Sequence, residues 1–281
     1  MAPQDAPEGG PLAGGADAAR GEAVAQAFVA ARRAAQGLAA YPGTPPADMG
    51  AAYAIQDRAI VIDGRAVAGW KVGKINPPDD ARLGTNRLAG PIFADTVHTL
   101  APGEERAMPV FADGFGAAEA EFLLHVAPGW DGRVPATNAE VPALVDAVHI
   151  GIEIASSPYP AINADGPPVT ASDFGNNHGL LIGPALGHGA HSDFDAIEVR
   201  LSIGGETVGC ATSATMLDGP LGAVRFLLEN LAARGIDCAQ GTWVSTGAVT
   251  GVHPVSPGDR VEAEFAGHGT LRCRIEAAKG Y

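Results

Sequence analysis

The residue pattern predicts an α+β fold. Two Ala-rich helical segments open the chain and short apolar strands fill most of the remainder. The βαβαβ alternation of a doubly wound sheet is missing. With 281 residues, 46% of them hydrophobic, the chain is at the upper end for one domain and can build a sizeable core. We divide it into a disordered leader over 1–16, rich in Pro, Gly and Ala, a helical region over 17–65 and a sheet-rich region over 66–281.

Each element has its own signal. Residues 17–39 carry Val24, Phe28 and Ala31 at helical spacing, and 47–62 make a second helix opened by Pro46 or Asp48. "AVAGWKVG" (66–73) reads as a strand punctuated by Gly, 117–126 as a strand, 138–148 as a helix and "HIGIEIA" (149–155) as an alternating strand. A strand over 197–203 runs into a hairpin-like "GGE". Residues 219–234 form a helix entered at Gly219 and Pro220 and stopped by Gly235, and the Met and Phe residues of 216–234 are read as core. Segments 242–247, 259–266 and 269–276 close the chain as strands.

Composition narrows the function. Eighteen basic against 32 acidic residues give a net charge of −14, which opposes binding to nucleic acid or to an anionic membrane surface. No apolar run reaches the ~18 residues of a membrane span, and the N-terminus lacks the basic and apolar regions of a secretory signal. Cys210, Cys238 and Cys273 are odd in number, widely spaced and outside any CxxC pattern, which suits a reducing, cytoplasmic setting. There is no GxSxG elbow, P-loop or GxGxxG after a strand.

The chemistry concentrates in "EAEF". Glu119 and Glu121, two apart in an apolar strand, project from one face, and "GIEI" adds Glu153 in a second apolar strand. Desolvated like charges are costly, and neither strand carries a cation. Two readings stand on these residues alone: a solvated sheet face, or a hard divalent cation held by three carboxylates with open positions left for water or substrate. No His/Cys cluster favours zinc, and His125, roughly 13 Å along the strand from Glu121, is not counted as a ligand. Lys71, one cation between glycines in an apolar strand, is either a proton carrier or a snorkelling surface lysine, and Lys74 is exposed. Thr246 and Gly247 end a strand with a hydroxyl and a backbone N–H suited to a carboxylate. His178 reads as solvent-facing.

The ordered strings "AYAIQ" (52–56), "GWKVG" (69–73), "IFAD" (92–95), "EAEF" (119–122), "GIEI" (151–154), "GNNHGLLIGP" (175–184), "GPLGAV" (219–224) and "TGAVTG…PGD" (246–259) together resemble the 2-keto-4-pentenoate hydratase / 4-oxalocrotonate decarboxylase family of the fumarylacetoacetate hydrolase superfamily. The resemblance spans about residues 50 to 265. It implies a mixed β-roll following the helical region, and an Mg²⁺ or Mn²⁺ site on Glu119, Glu121 and Glu153. It further implies a catalytic Lys71, a pocket acid at Asp95 (otherwise a turn residue) and a substrate-side loop at Asn176 and Asn177. Asparagines there, where many hydratases have serine, depart from the family pattern. The implied activity is hydration of a 2-hydroxy-2,4-dienoate to a 4-hydroxy-2-keto acid. The alternatives are a 4-oxalocrotonate-type decarboxylase, an acylpyruvate-type C–C hydrolase and a non-catalytic partner-binding protein. The hydrolase would need a His-centred pair near the N-terminus, where residues 1–100 hold only His98. Intact acids argue against the non-catalytic reading. A homo-oligomer is expected, from the resemblance and from Pro/Gly-rich segments with few charges such as 175–187.

Overall fold

The computed structural model describes residues 12–186 and 194–281. Helix α1 (Leu12–Ala34) begins inside the stretch expected to be a disordered leader, and residues 1–11 lie outside the described residues. Helix α2 (Met49–Asp63) packs on α1 through Val24, Phe28, Ile55 and Ala59. The Asp48 side chain caps α2 by accepting the Ala51 N–H at 2.8 Å, and Gly64, at φ 73°, ends it in the left-handed region.

The sheet region runs through β1 (Val67–Lys74), a short α3 (Asp79–Leu83), β2 (Arg87–Phe93), β3 (Val97–Thr99), β4 (Glu105–Val110), β5 (Phe115–Val126), β6 (Val145–Ser157), a short α4 (Pro167–Ser172) and β7 (Asn177–Ala185). It continues with β8 (Val199–Ile203), β9 (Glu206–Ala211), α5 (Gly219–Arg234), β10 (Thr242–Ser245), β11 (His253–Pro254), β12 (Arg260–Phe265) and β13 (Gly269–Ala277). Among the described residues these strands make two mixed, curled sheets. One has the order β2-β1-β10-β5-β6-β7-β3, with β11 also on β5, and the other β4-β13-β12-β8-β9. This is the expected α+β architecture, a mixed β-roll behind a helical N-terminal region.

The main core lies between the sheets and under α5. Phe122 and Leu124 of β5 and Ile150, Ile152 and Ile154 of β6 meet Leu201, Phe265 and Ile275 of the second sheet and Leu227, Leu228 and Leu231 of α5. Because side chains alternate along a strand, the intervening residues Glu119, Glu121, Leu123 and Glu153 face the other way.

Two expectations need correction. Residues 138–148 are not a helix: a 3-10 helix covers Asn138–Leu144, where Pro142 lacks a donor for a longer helix, and β6 has begun by Val145. Residues 175–187 do not form an exposed apolar segment. Gly175 and Asn176 lie in a buried turn, Asn177–Ala185 is strand β7, mostly buried, and position 187 lies outside the described residues. This segment therefore gives no support to oligomer formation.

Candidate active site

Glu119 stands directly across from Glu153 in the β5–β6 ladder, and Glu121 across from Gly151. All three glutamates are buried, and carboxylate oxygens of the three lie within 4.8 Å of one another. The solvated-face reading is thereby excluded. Glu121 Oε2 accepts from the Gly247 N–H at 2.9 Å and from the Ser245 hydroxyl, while Glu153 Oε1 accepts from the Asn177 amide at 3.0 Å. The outer oxygens, Glu121 Oε1 and Glu153 Oε2, are buried and accept no hydrogen bond among the described residues. Burial, and then the charges of Glu153 and Glu119, push the Glu121 carboxyl well above the ordinary carboxylate range. Burial also raises Glu119, against the opposing pull of Lys71.

A cation does reach the cluster from another strand. Lys71 Nζ lies 3.1 Å from Glu153 Oε1 and 4.0 Å from Glu119 Oε1, and donates to Asn176 Oδ1 at 3.1 Å. In the sheet order β1 and β6 are three steps apart, roughly 14 Å in a flat sheet. The sheet's curl and the length of the lysine close that gap. Burial works against the Lys71 ammonium, but Glu153, Glu119 and Glu121 outweigh it and hold its pKa above the ordinary value. One ammonium against three carboxylates leaves the cluster electron-rich, and two oxygens remain unclaimed.

The loop carrying Asn176 is held under backbone constraint. Phe174, Gly175 and Asn176 all have left-handed φ, at 54°, 59° and 57°. Gly90 lets this loop approach β2: a Cβ at position 90 would lie 2.1 Å from the Phe174 carbonyl oxygen. Arg32 of α1 fixes the loop from behind. Its guanidinium forms a buried two-pronged ion pair with Asp173, at 2.6 and 2.9 Å, and donates to the carbonyls of Asn177 and Ser156. The Asn176 amide donates to Asn163 Oδ1 at 2.9 Å, so its carbonyl end is left pointing at Lys71.

A cavity of about 750 Å³ opens from this cluster. Lys71, Glu119, Asn176, Thr246 and Gly247 line it, and so does the exposed Lys74. Asp95 does not: it sits on the surface with its carboxylate 3.4 Å from Arg65, five residues along the chain from the strand position that pairs with Lys71. The assignment of a pocket acid there is withdrawn. Neither Thr246 nor Gly247 has a free donor, since the Thr246 hydroxyl donates to the Phe122 carbonyl and the Gly247 N–H to Glu121. Both build the site rather than offering open donors. Asn177 lies behind Glu153 and not on the cavity wall. His178 is half-buried on β7, its ring tilted against Phe111 with centroids 4.6 Å apart, and is not solvent-facing.

Residues 132–276, just over half of the chain, match the family described as fumarylacetoacetate (FAA) hydrolase C-terminal. The chain belongs to the fumarylacetoacetate hydrolase family. Among curated members it is 27% identical to the 2-keto-4-pentenoate hydratase of Paraburkholderia xenovorans over 261 residues, covering 91% of this chain and 95% of that one. It is 30% identical to the 4-oxalocrotonate decarboxylase of Pseudomonas putida over 136 residues, 48% of this chain and 51% of that one, so it spans about half the length of this relative. The solved structure of 4-oxalocrotonate decarboxylase from Pseudomonas putida G7, complexed with magnesium and adipate, superposes with a TM-score of 0.75 at 21% identity. That superposition covers 92% of this chain and 97% of that one.

Four supports of the site lie outside the residues that the sequence singles out. Ser245 adjoins the quoted "TGAV" motif and shares the face of Lys71 through the β1–β10 register, a signal that was present. Arg32 lies four residues after Phe28, on the apolar stripe of α1, where a charge signals a buried partner. Asp173 and Asn163 carry no local signal, since their roles come only from the turns that meet at the loop.

Proposed function

We propose that this protein is a divalent-metal-dependent lyase that adds water to a 2-hydroxy-2,4-dienoate, by way of its 2-keto tautomer, to give a 4-hydroxy-2-keto acid. The observation that carries the reading is the buried Glu119/Glu121/Glu153 cluster with two unclaimed oxygens, beside a cavity that Glu119 lines. Three buried carboxylates, two of them with an oxygen that accepts no hydrogen bond among the described residues, fit a hard cation such as Mg²⁺ or Mn²⁺, and these three residues would hold it. When bound, the ion would polarise the substrate's 2-keto group and offset the negative charge that develops there. Magnesium in the structurally similar decarboxylase supports the choice of metal class. The match over nearly the full length of a hydratase, set against half the length of a decarboxylase, supports hydration.

This chain's own residues supply the rest. Lys71 holds its proton at Nζ, between Glu153 and Asn176, and gives it to carbon C5 as the proton on the C2 hydroxyl is lost, which leaves a 2-keto-3-enoate. Water then adds its oxygen to C4 and a proton to C3, balancing the hydration. Asn176 orients the ammonium, and Ser245 with the Gly247 N–H fixes the Glu121 carboxylate. Of the two loop asparagines only Asn176 lines the cavity, which supports a role for it beside the substrate. The test is an assay with 2-hydroxypenta-2,4-dienoate and Mg²⁺ or Mn²⁺, with and without EDTA. The expected result is loss of the dienoate absorbance, abolished by EDTA, with a 4-hydroxy-2-keto acid as product. No loss with metal present contradicts the assignment, and CO₂ release from a dicarboxylic substrate would move it to the decarboxylase reading.

The protein is further read as a cytoplasmic homo-oligomer taking a small-molecule substrate. Among the described residues no helix is long and apolar enough to cross a membrane. Light scattering should give a mass well above the 28.4 kDa chain, and a clean monomer contradicts assembly.

A further inference from the structure

The cavity is larger than a five-carbon acid needs. At about 750 Å³ it falls in the ~300–1,000 Å³ range of sites that enclose drug-sized ligands. Its lining is also mixed in character. The inner end is polar, with Lys71, Glu119 and Asn176. Beyond them the lining includes the buried Leu88 and then Met216, Leu217 and Val252, beside the hydroxyls of Thr170, Thr215 and Thr250. Met216 joins the two halves: its Cε lies 3.7 Å from where a Cβ on Gly247 would stand, and the Gly247 N–H holds Glu121. At the mouth Leu217 is 43% and Val252 50% exposed, two of the five large hydrophobic residues exposed among the described residues. Exposed apolar side chains gathered at the rim of a cavity need a ligand or a partner to cover them.

The charges near the mouth are mostly taken. Asp79 is paired with Arg82 at 2.6 Å, and Arg87 with Asp218. Lys74 has no carboxylate partner among the described residues, and it is the group that a second carboxylate on a ligand would meet.

Resting on the hydratase reading, we infer that the substrate carries an extended, uncharged hydrocarbon tail beyond C5. The tail runs from the glutamate end out between the Met216–Leu217 segment and the 249–252 loop. The substrate class is a 2-hydroxy-2,4-dienoate bearing an alkyl or aryl substituent, in preference to the unsubstituted pentadienoate or a dicarboxylate.

Binding calorimetry on the Mg²⁺-loaded protein tests this without turnover. The ligands are straight-chain 2-oxo acids from 2-oxobutanoate to 2-oxooctanoate, which carry the head group but no conjugated double bond. Burial of each added methylene in an apolar channel predicts a Kd roughly threefold to fourfold lower per step. In Leu217→Asp and Val252→Asp the long acids should fall back toward the affinity of 2-oxobutanoate. Binding of the whole series with no dependence on length overturns the tail alone and leaves the head-group reading standing. Failure of even 2-oxobutanoate to bind overturns both. A saturated 2-oxo dicarboxylate that binds more tightly than the monoacid of equal length, and loses that advantage in Lys74→Met, replaces the hydrocarbon tail with an anionic one. A length-independent series together with a fall in mass for Leu217→Asp in light scattering assigns the rim to a second copy of the chain, and this too overturns the proposal.

Discussion

At the scale of single residues, Lys71 and the three glutamates are a mutual solution to burial. Among the described residues the lysine alone supplies the cluster's positive charge, and its proton is held at Nζ by Glu153 and Asn176. Lys71→Met should therefore lower turnover by ~10²–10⁴-fold, the usual contribution of a positioned proton donor. Metal-linked stabilisation should persist, since the three carboxylates remain. Loss of both in kinetic and melting measurements would mean that the lysine builds the site rather than acting in it. His178 gives a separate test. Burial and the Arg32 guanidinium, with Arg65 behind it, hold its imidazole at about 3, and Nδ1 faces Arg32 Nη1 at 3.3 Å, which makes it the acceptor. Unfolded, the same group titrates near 6.5, so below that pH the unfolded chain binds a proton that the folded chain refuses. Its stabilising contribution is complete above about 6.5 and is lost as pH falls toward 3, by at most ~1.4 kcal/mol per unit. The Tm of wild type should drop more steeply than that of His178→Asn between pH 6.5 and 4, and parallel curves would remove this role. The glutamates were legible as an i, i+2 pair with a third acid in another strand. Their counter-ion was not, because Lys71 reaches them only through the curl of the sheet. Asp95 was misjudged because a short motif ending in an acid does not say which way the following turn carries it.

At the scale of elements, the site depends on where the turn between α4 and β7 is pinned. Three consecutive left-handed residues, Gly90 beneath them and the Arg32–Asp173 pair behind them set the position of Asn176. In Gly90→Ala the new methyl would meet backbone atoms of Phe174 and Gly175, at 2.1 to 2.7 Å, with no flexible side chain to yield. The turn must shift and draw Asn176 away from Lys71. Displacements of about 1 Å cost on the order of 10²-fold in rate, and overpacking costs about 1–3 kcal/mol in stability. The expected outcome is a variant that folds with a lowered Tm, still gains stability from metal and turns over roughly 10²-fold more slowly. Wild-type turnover would show that Asn176 needs no such support. Elements with clear periodicity or caps were legible in the sequence: α2 with its Asp48 cap, α5 with its Gly235 stop, and the alternating β5 and β6. Strand β2 was not, because it is buried on both faces and so does not alternate, and it carries Pro91. The 3-10 helix before β6 imitated a longer helix until Pro142 interrupted it.

At the scale of the whole molecule, the fold brings β1, β5 and β6 around one buried point and opens a cavity from it toward the Met216–Leu217 and 246–252 segments. Motif order made the family and the β-roll legible, because those strings sit on the strands that meet there. The size and lining of the cavity were not legible, since the Met216–Leu217 segment and Val252 come from two separate turns whose approach no local pattern encodes. The central claim is that Glu119, Glu121 and Glu153 hold a divalent cation, and thermal melts of wild type and Glu121→Gln across an Mg²⁺ or Mn²⁺ titration test it most directly. Glutamine keeps an oxygen for Ser245 and Gly247 while removing one charge from a crowded cluster, so the metal-free variant should be as stable as wild type or slightly more so. A ligand at a hundredfold excess over its Kd stabilises the folded state by ~2.7 kcal/mol, a rise of about 5–10 °C for a chain of this size. Wild type should show that rise and Glu121→Gln little of it; an equal rise in both proteins, or none in wild type, would contradict the metal site.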